Sequence, residues 1–288
     1  MRHSLIVSMA RCATVGVAMC MLGGSASSAS AQDQAFERLN AEGVQLPDVA
    51  NWKPEGQVPR TADGKPDLTG VWWQGHDFDF NPAPRPAAPR PPAAAPAAPR
   101  VTYQSLYNDA AKAKLKTLSA KDDPSLQCIP EIDGPQTSDI FQILQTPKFI
   151  AYLQETFHGF RLIPLDGRPH SEIAPPQFRG DSVGHWEGDT LVVDVTNFSP
   201  RNWVFYGVNG LPSIHSDALR VTERFTRIAG NALQVERTYD DPKVLTRPFM
   251  KPKKIFTLAP YDQVMEVICT MNATGALMES AAKLEPAR

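Results

Sequence analysis

The sequence lacks the short motifs that carry most cofactor and metal chemistry. It contains no phosphate-binding loop and no dinucleotide fingerprint, and its serines lie in no Gly-x-Ser-x-Gly elbow. Its histidines form neither a His-Glu-x-x-His pair nor a His-x-His pair. We therefore expect no cofactor and no metal, which leaves proton transfer or simple hydrolysis as the chemistry of an enzyme of this kind.

The sequence also lacks an excess of basic charge and long apolar runs. Its formal net charge is −2, so it carries no electrostatic footprint for nucleic acid or for an anionic membrane. Beyond the N-terminal segment, no stretch reads as the roughly 20 apolar residues of a membrane span. We expect a small molecule as the partner, with no nucleic acid and no membrane span, and the oligomeric state stays open.

Residues 1–31 are typical of an export signal. Arg2 and Arg11 form a basic segment, the run CATVGVAMCMLGG is apolar, and the small-x-small triplet at 29–31 directly precedes Gln32. We predict a mature chain that begins near Gln32 and has a periplasmic or secreted location.

Cysteine is scarce, with four residues in the whole chain. Cys12 and Cys20 belong to the predicted signal, which leaves Cys128 and Cys269. In an oxidising compartment, two remaining cysteines most simply form a disulfide, and two separate buried thiols are the alternative.

Composition divides the rest of the chain into segments. Residues 32–60 predict an irregular arm, and residues 61–80 contain a first strand at 68–74. Residues 81–100 are rich in proline and alanine and predict a polyproline II loop that joins neither a sheet nor a core. Residues 101–288 hold a short helix followed by the main β domain.

The spacing of apolar side chains predicts the elements of this last segment. Residues 103–118 have the period of an amphipathic helix, and from residue 141 onward the alternation predicts strands joined by turns such as EGD, AGN and PYD. Together with the strand at 68–74, this gives about eight to ten strands, enough to close or nearly close a barrel. The expected fold is mainly all-β, an antiparallel meander that closes into a lipocalin-like β-barrel.

The turn Glu187-Gly188-Asp189 is the first place to look for a ligand-binding loop. It lies between two alternating segments, as AGN does in the next hairpin, and Gly188 supplies the positive φ that a tight hairpin turn needs. We interpret both acidic residues as part of a hairpin bend, with a ligand-binding loop as the alternative.

Several motifs occur together along the chain: PRTADGKPDLTGVW, QTPKFIAYLQE, LDGRPH, SVGHWEGDTLVVDVTNF, HSDALRVTERF and DDPKVLTRP. This set resembles a group of uncharacterised exported bacterial β-rich proteins, and the resemblance covers most of residues 59–269 except the Pro/Ala loop. It implies a secreted β-rich domain and no particular activity. The chain has Asp181 where the group often has His, and His185 where the group often has Arg, so a site at this hairpin would be altered here.

Two charged residues interrupt apolar rows of neighbouring strands. Glu223 shares a face with Val221 and Phe225, and Arg237 shares a face with Val235. A hairpin that turns at residues 230–231 would bring both charges into the same interior, where each needs a partner. They predict either a site that orients a substrate or a structural ion pair.

These residues define the expected function. We predict an exported enzyme that acts by proton transfer, as a lyase, isomerase, cyclase or hydrolase, on a small apolar or aromatic molecule in the barrel lumen. Glu223 or His215 would move the proton, and Arg237 would hold an anionic or carbonyl group. The alternatives are a non-catalytic periplasmic small-molecule binding protein and a surface module that docks a partner through the Pro/Ala loop.

Further side chains complete the predicted substrate site: His170, Tyr239, His185 and Trp72. Tyr239 shares the apolar face of Arg237, and His170 would join His215 at one mouth of the barrel. A zinc site built from His170, His185 and His215 is an alternative that their spacing does not support.

Overall fold

The structure is a computed structural model that describes residues 53–74, 101–133, 140–155, 157, 159–204, 212–265 and 269. The predicted export signal, most of the predicted arm and the whole Pro/Ala loop lie outside these residues. The predictions made for those segments are therefore not tested by the fold.

Nine strands and one α-helix make up the regular structure of the described residues. The helix, α1, spans Asp109–Leu115. The strands are β1 (Gly70–Trp73), β2 (Phe141–Gln145), β3 (Phe149–Gln154), β4 (Phe160–Pro164), β5 (Asp181–Glu187), β6 (Thr190–Thr196), β7 (Arg220–Ala229), β8 (Ala232–Asp240) and β9 (Phe249–Leu258).

The strands form a single sheet in the order β4-β3-β2-β1-β9-β8-β7-β6-β5. Every neighbouring pair is antiparallel, and the first and last strands pair with each other through Trp72 opposite Leu258. The sheet curls into a nearly closed barrel with β4 and β5 as its two edges. The all-β barrel predicted from the sequence is therefore confirmed.

Side chains close the seam between β4 and β5. Because antiparallel neighbours alternate in direction and the sheet has an odd number of strands, these two edge strands run the same way. Arg161 of β4 donates a hydrogen bond to Ser182 of β5 over 3.4 Å. At Gly184 the strands approach closely, because a Cβ there would lie 2.9 Å from both Ile163 and Leu165.

Apolar side chains fill the interior of the barrel. Alternation along the strands turns one residue in two inward, and the largest fully buried side chains include three aromatic residues of the strands, Trp72, Phe225 and Phe256. Burial of each large side chain contributes roughly 1.5–3 kcal/mol. The middle of the barrel is thus a packed core, and the open space lies at its ends.

The predicted helix is shorter than its apolar spacing suggested. Residues 104–106 form a 3-10 turn, and α1 begins after Asn108, whose side chain accepts a hydrogen bond from the Ala111 amide over 2.9 Å. Ala111 is buried against the core, which gives this short helix its tertiary support.

The pattern also predicts a strand after the PYD turn, at residues 263–271, and this prediction is wrong for the described part of that segment. Residues 263–265 and 269 are not in a strand. Tyr261 and Val264 instead pack on the outer face of β1, where the rings of Trp73 and Tyr261 lie 6.3 Å apart, edge to face. These residues thus bury the outward-facing apolar side chains of β1 and do not pair as a further strand.

Cys128 and Cys269 form a disulfide, as the cysteine count predicted. Their Cα atoms are 5.6 Å apart, and 141 positions separate them in sequence. The disulfide ties the segment before β2 to the segment after β9. In a chain-entropy treatment, a cross-link over so long a loop stabilises the fold by about 4–5 kcal/mol.

The EGD segment is the bend of the β5–β6 hairpin. Gly188 has a φ of +59°, the left-handed conformation that the turn was predicted to need. Glu187 pairs with Arg224 over 2.9 Å, and Asp189 pairs with Arg60 over 2.6 Å. Both carboxylates therefore form ion pairs on the outside of the barrel.

Candidate functional site

Glu223 and Arg237 face each other across β7 and β8. They are direct partners in the ladder, and the Arg237 Nε atom lies 3.0 Å from a carboxylate oxygen of Glu223. Their side chains are 6% and 10% exposed, respectively. The prediction that these two charges meet in the interior is confirmed.

Two charges that sequence reasoning missed extend this pair. Arg161 of β4 lies 2.6 Å from the second carboxylate oxygen of Glu223. Asp133 lies 3.0 Å from the Arg237 guanidinium and 2.6 Å from the Lys251 ammonium. We call these five residues, Arg161, Glu223, Arg237, Asp133 and Lys251, the ion cluster.

Two tyrosines pack on the ion cluster. The Tyr239 hydroxyl donates a hydrogen bond to Asp133. Burial and the charge of Asp133 raise the pKa of Tyr239 well above its usual range. The Arg161 guanidinium lies 4.9 Å from the centre of the Tyr152 ring, so its planar face is covered as well.

The ion cluster holds its carboxylates ionised. Burial alone would raise the pKa of Glu223, but the charges of Arg161 and Arg237 outweigh it and lower that pKa. The same balance with Arg237 and Lys251 lowers the pKa of Asp133. A carboxylate stabilised in this way is a weak base and carries no proton to donate at neutral pH. We interpret the cluster as a structural network on this ground.

Little free space adjoins the ion cluster. The cavity beside it is about 10 Å³, room for about one water molecule. Its walls include the guanidinium-bearing side chains Arg161, Arg179 and Arg237. This cavity, as the described residues form it, holds no ligand larger than water without rearrangement.

A second buried carboxyl group, Glu131, lies two residues before Asp133. It is 4% exposed, and burial raises its pKa to about 8. Its carboxyl oxygens have no hydrogen-bond partner among the described residues. The backbone carbonyl of Glu131 accepts a hydrogen bond from Arg179 over 3.4 Å.

The predicted histidines do not assemble into one site. His215 is half-buried near Asn202, its Nδ1 atom lies 2.8 Å from the Ser216 carbonyl, and burial lowers its pKa. His170 lies between two carboxylates, 2.8 Å from Asp181 and 2.8 Å from Asp194. Each ring therefore fixes a separate loop.

His185 and Trp72 also lie away from any interior ligand. His185 points out of the barrel, with its side chain 60% exposed, and lies 3.2 Å from Glu187. Trp72 is fully buried, and its indole donates a hydrogen bond to the Leu68 carbonyl over 2.9 Å. The predicted contact of Trp72 with a substrate is not supported, because core packing encloses the ring.

Among the described residues, no group of three or more His, Cys, Asp or Glu side chains is placed to hold a metal ion. The zinc site considered as an alternative is not formed, because each of its three histidines has different neighbours: His170, His185 and His215. The part of the chain that the structure describes also contains no helix long and apolar enough to cross a membrane.

A second open space, larger than the one beside the ion cluster, lies at the other end of the barrel, which we call the mouth. It has a volume of about 490 Å³. Its lining residues come from the loop before β1, the β2–β3 turn, the end of β4 and β5: Thr61, Ala62, Asp63, Lys65, Gln145, Thr146, Pro147, Leu165 and Trp186. Since β4 and β5 both run from the ion cluster towards Leu165 and Trp186, the two sites occupy opposite ends of the sheet.

Trp186 forms the aromatic wall of the mouth. It lies on the same face of β5 as the buried residues Ser182 and Gly184, so its side chain turns inward. The ring is half-buried and packs against the core. The Lys65 ammonium lies 5.8 Å from the centre of its ring. Sequence reasoning missed Trp186, although the alternation of DSVGHWE places it on the inner face.

Hydrogen bonds hold the rim of the mouth in place. Arg60 and Asp189 pair over 2.6 Å and join the loop before β1 to the EGD bend. The Gln145 side chain accepts from the Leu68 amide over 2.8 Å and donates to the Pro66 carbonyl over 3.0 Å. The space is therefore preformed.

Together, the fold and this site define a nearly closed antiparallel barrel with a packed middle and a preformed open space at the mouth. Comparison of the chain with protein-family models, with curated proteins and with solved structures found no match. The function therefore has to be argued from the site itself.

Proposed function

We propose that the protein binds a small molecule at the mouth and does not change it chemically. The observation that carries the proposal is the preformed space of about 490 Å³, walled by Trp186 and Leu165, at the end of a barrel whose core is packed with apolar side chains. Small-molecule sites typically measure about 300–1,000 Å³ and favour the mouths of barrels.

The groups around the mouth support binding over catalysis. Asp63 and Lys65 are the titratable residues that line it. A hydrogen bond from Thr61 is the main cause of a lowered pKa at Asp63, so this carboxylate is a weak base. Proton transfer by Glu223 stays a prediction, and it would require the ion cluster to open.

The disulfide supports the choice of compartment for this binding. Cross-links of this kind persist where the surroundings are oxidising, as in the periplasm or outside the cell. We therefore place the binding protein in a periplasmic or secreted location, which agrees with the expectation from residues 1–31.

The first test is the mass spectrum of any molecule that co-purifies with the full chain from its native compartment. We expect Trp186→Ala to lose this molecule and the matched surface change His185→Ala to retain it. Retention by Trp186→Ala would place the ligand elsewhere and refute the proposal.

Turnover of the identified molecule separates binding from catalysis. We expect the molecule to be recovered unchanged after prolonged incubation with the protein. If the molecule is converted, and Glu223→Gln abolishes conversion while it preserves affinity, the protein is an enzyme and the non-catalytic proposal is wrong.

A further inference from the structure

The mouth contains a positive charge that no carboxylate of the described residues contacts directly. Lys65 is half-buried in the lining, and its ammonium lies 5.8 Å from the centre of the Trp186 ring. Among the described residues, this ammonium makes no ion pair and no hydrogen bond. A cation on an aromatic face retains its ability to pair with an anion that enters from the open side.

The uncharged polar groups of the lining are occupied by the backbone. Gln145 bonds to the Leu68 amide and the Pro66 carbonyl. The Thr146 hydroxyl donates to the Phe149 carbonyl over 2.8 Å and accepts from the Phe149 amide over 3.0 Å. These groups shape the rim, and they offer a ligand little beyond van der Waals contact.

The acidic groups near the mouth are also engaged. The Asp63 carboxylate accepts a hydrogen bond from the Thr61 hydroxyl, and its side chain is exposed, so water and salt screen its charge. Asp189 is paired with Arg60 at the rim. The charge of Lys65 helps to lower the pKa of both carboxylates, but it acts on them without direct contact, so its ammonium remains available to pair with a ligand.

We propose that the mouth selects a small aromatic carboxylate, whose ring packs on Trp186 and Leu165 and whose carboxylate pairs with Lys65. This inference rests on the proposed binding function and names its ligand class. The apolar wall removes the ring from water, and the ammonium supplies one charge-assisted hydrogen bond. A neutral ring of the same shape would retain the first contribution and lose the second.

The test compares three probes by titration calorimetry: 1-naphthoate, 1-naphthamide and hexanoate. We expect naphthoate to bind on the order of tenfold more tightly than the isosteric amide, the effect of one hydrogen bond to a charged group. Hexanoate should bind more weakly than naphthoate because it has no ring to pack on Trp186.

Variants assign this preference to Lys65. Lys65→Met should remove the preference for naphthoate over naphthamide, and Lys65→Arg should retain most of it. Lys148→Met is the matched control, because Lys148 is exposed on the β2–β3 turn and changes the net charge equally without lining the mouth. A loss of preference in Lys148→Met would show a general charge effect and overturn the assignment.

The failures of the two proposals are distinguishable. If the two naphthyl probes bind equally and Trp186→Ala abolishes both, the mouth binds small molecules and the carboxylate class is wrong. If no probe binds while Trp186→Ala still releases a co-purified molecule, the ligand class is again wrong. If no probe binds and no molecule depends on Trp186, both proposals are wrong.

Discussion

The two ends of the barrel use polar residues in opposite ways. At the closed end, Glu223 and Asp133 are surrounded by cations, and about 10 Å³ of space remains. At the mouth, about 490 Å³ is open, and the Lys65 ammonium contacts no carboxylate among the described residues, although its charge acts at longer range on Asp63 and Asp189. The buried charges that look most catalytic in the sequence thus occupy the end with the least room for a substrate.

This contrast separates stability from binding within one sheet. Buried charges are costly unless every one is paired, so changes at the closed end should mainly affect folding. The lining of the mouth is partly exposed, so changes there should mainly affect ligand affinity. The following predictions test that separation, beginning with the largest expected effect on stability.

The largest loss of stability is expected in the ion cluster. Arg237→Met leaves Glu223 and Asp133 with one cation fewer in the interior, and it should lower the free energy of unfolding by on the order of 3–5 kcal/mol. Urea denaturation measures this change, and Arg168→Met, in an exposed ion pair, is the control. The double change Arg237→Met with Glu223→Gln should recover part of the loss. A cost below about 0.5 kcal/mol would place the cluster among surface pairs.

Loss of the disulfide should have the next largest effect. Replacement of both Cys128 and Cys269 by serine should lower the free energy of unfolding by about 2–4 kcal/mol, the typical measured range, which lies below the chain-entropy value for so long a loop. Unfolding curves of the variant and of the reduced parent protein should agree. An unchanged midpoint of unfolding would mean that the disulfide contributes nothing to the stability of the fold.

Glu131 should make stability depend on pH. Its pKa is raised from 4.5 to about 8 in the folded state, so between these values the folded chain holds a proton that the unfolded chain releases. This contribution is complete below pH 4.5 and is lost as the pH rises through 8, with a slope of at most about 1.4 kcal/mol per pH unit. Glu131→Gln should flatten the decline between about pH 5 and 8, and exposed Glu172→Gln should not.

The smallest effect on stability is expected at the mouth. Lys65→Met removes a charge that acts on Asp63 and Asp189 only through exposed, solvent-screened interactions, and it should change the free energy of unfolding by less than about 0.5 kcal/mol. Urea denaturation without ligand measures this change. If Lys65→Met lowers the free energy of unfolding as much as Arg237→Met does, charges at both ends of the barrel stabilise the fold, and the proposed difference between the two ends is wrong.

The sequence was sufficient to predict the parts of the fold that depend on short-range pattern. Alternation and turn chemistry predicted the hairpins, and charges in apolar rows revealed Glu223 and Arg237. The same rule, applied to FRLIPL, would have placed Arg161 beside buried Ile163 on the inner face. Applied to β5, it would have found Trp186.

Other parts of the site depend on contacts between distant segments. Asp133 comes from a stretch without periodicity, so no pattern places it beside Arg237. The loop that carries Lys65 reaches the mouth through the pair between Arg60 and Asp189, which are 129 positions apart in sequence. The strand predicted after the PYD turn is wrong in its described part for a similar reason, because the residues that Tyr261 and Val264 pack against include Val71 and Trp73 of the distant strand β1.

The pairing of the first and last strands has a consequence for how the chain folds. Every other ladder joins strands that are consecutive in sequence, so it can form as each hairpin appears. The ladder between β1 and β9 requires closure of a loop that contains all the other strands, an entropic cost that local pairing does not share. During synthesis from the N-terminus, β1 therefore stays without this partner until β9 has been made, and the barrel remains incomplete until then.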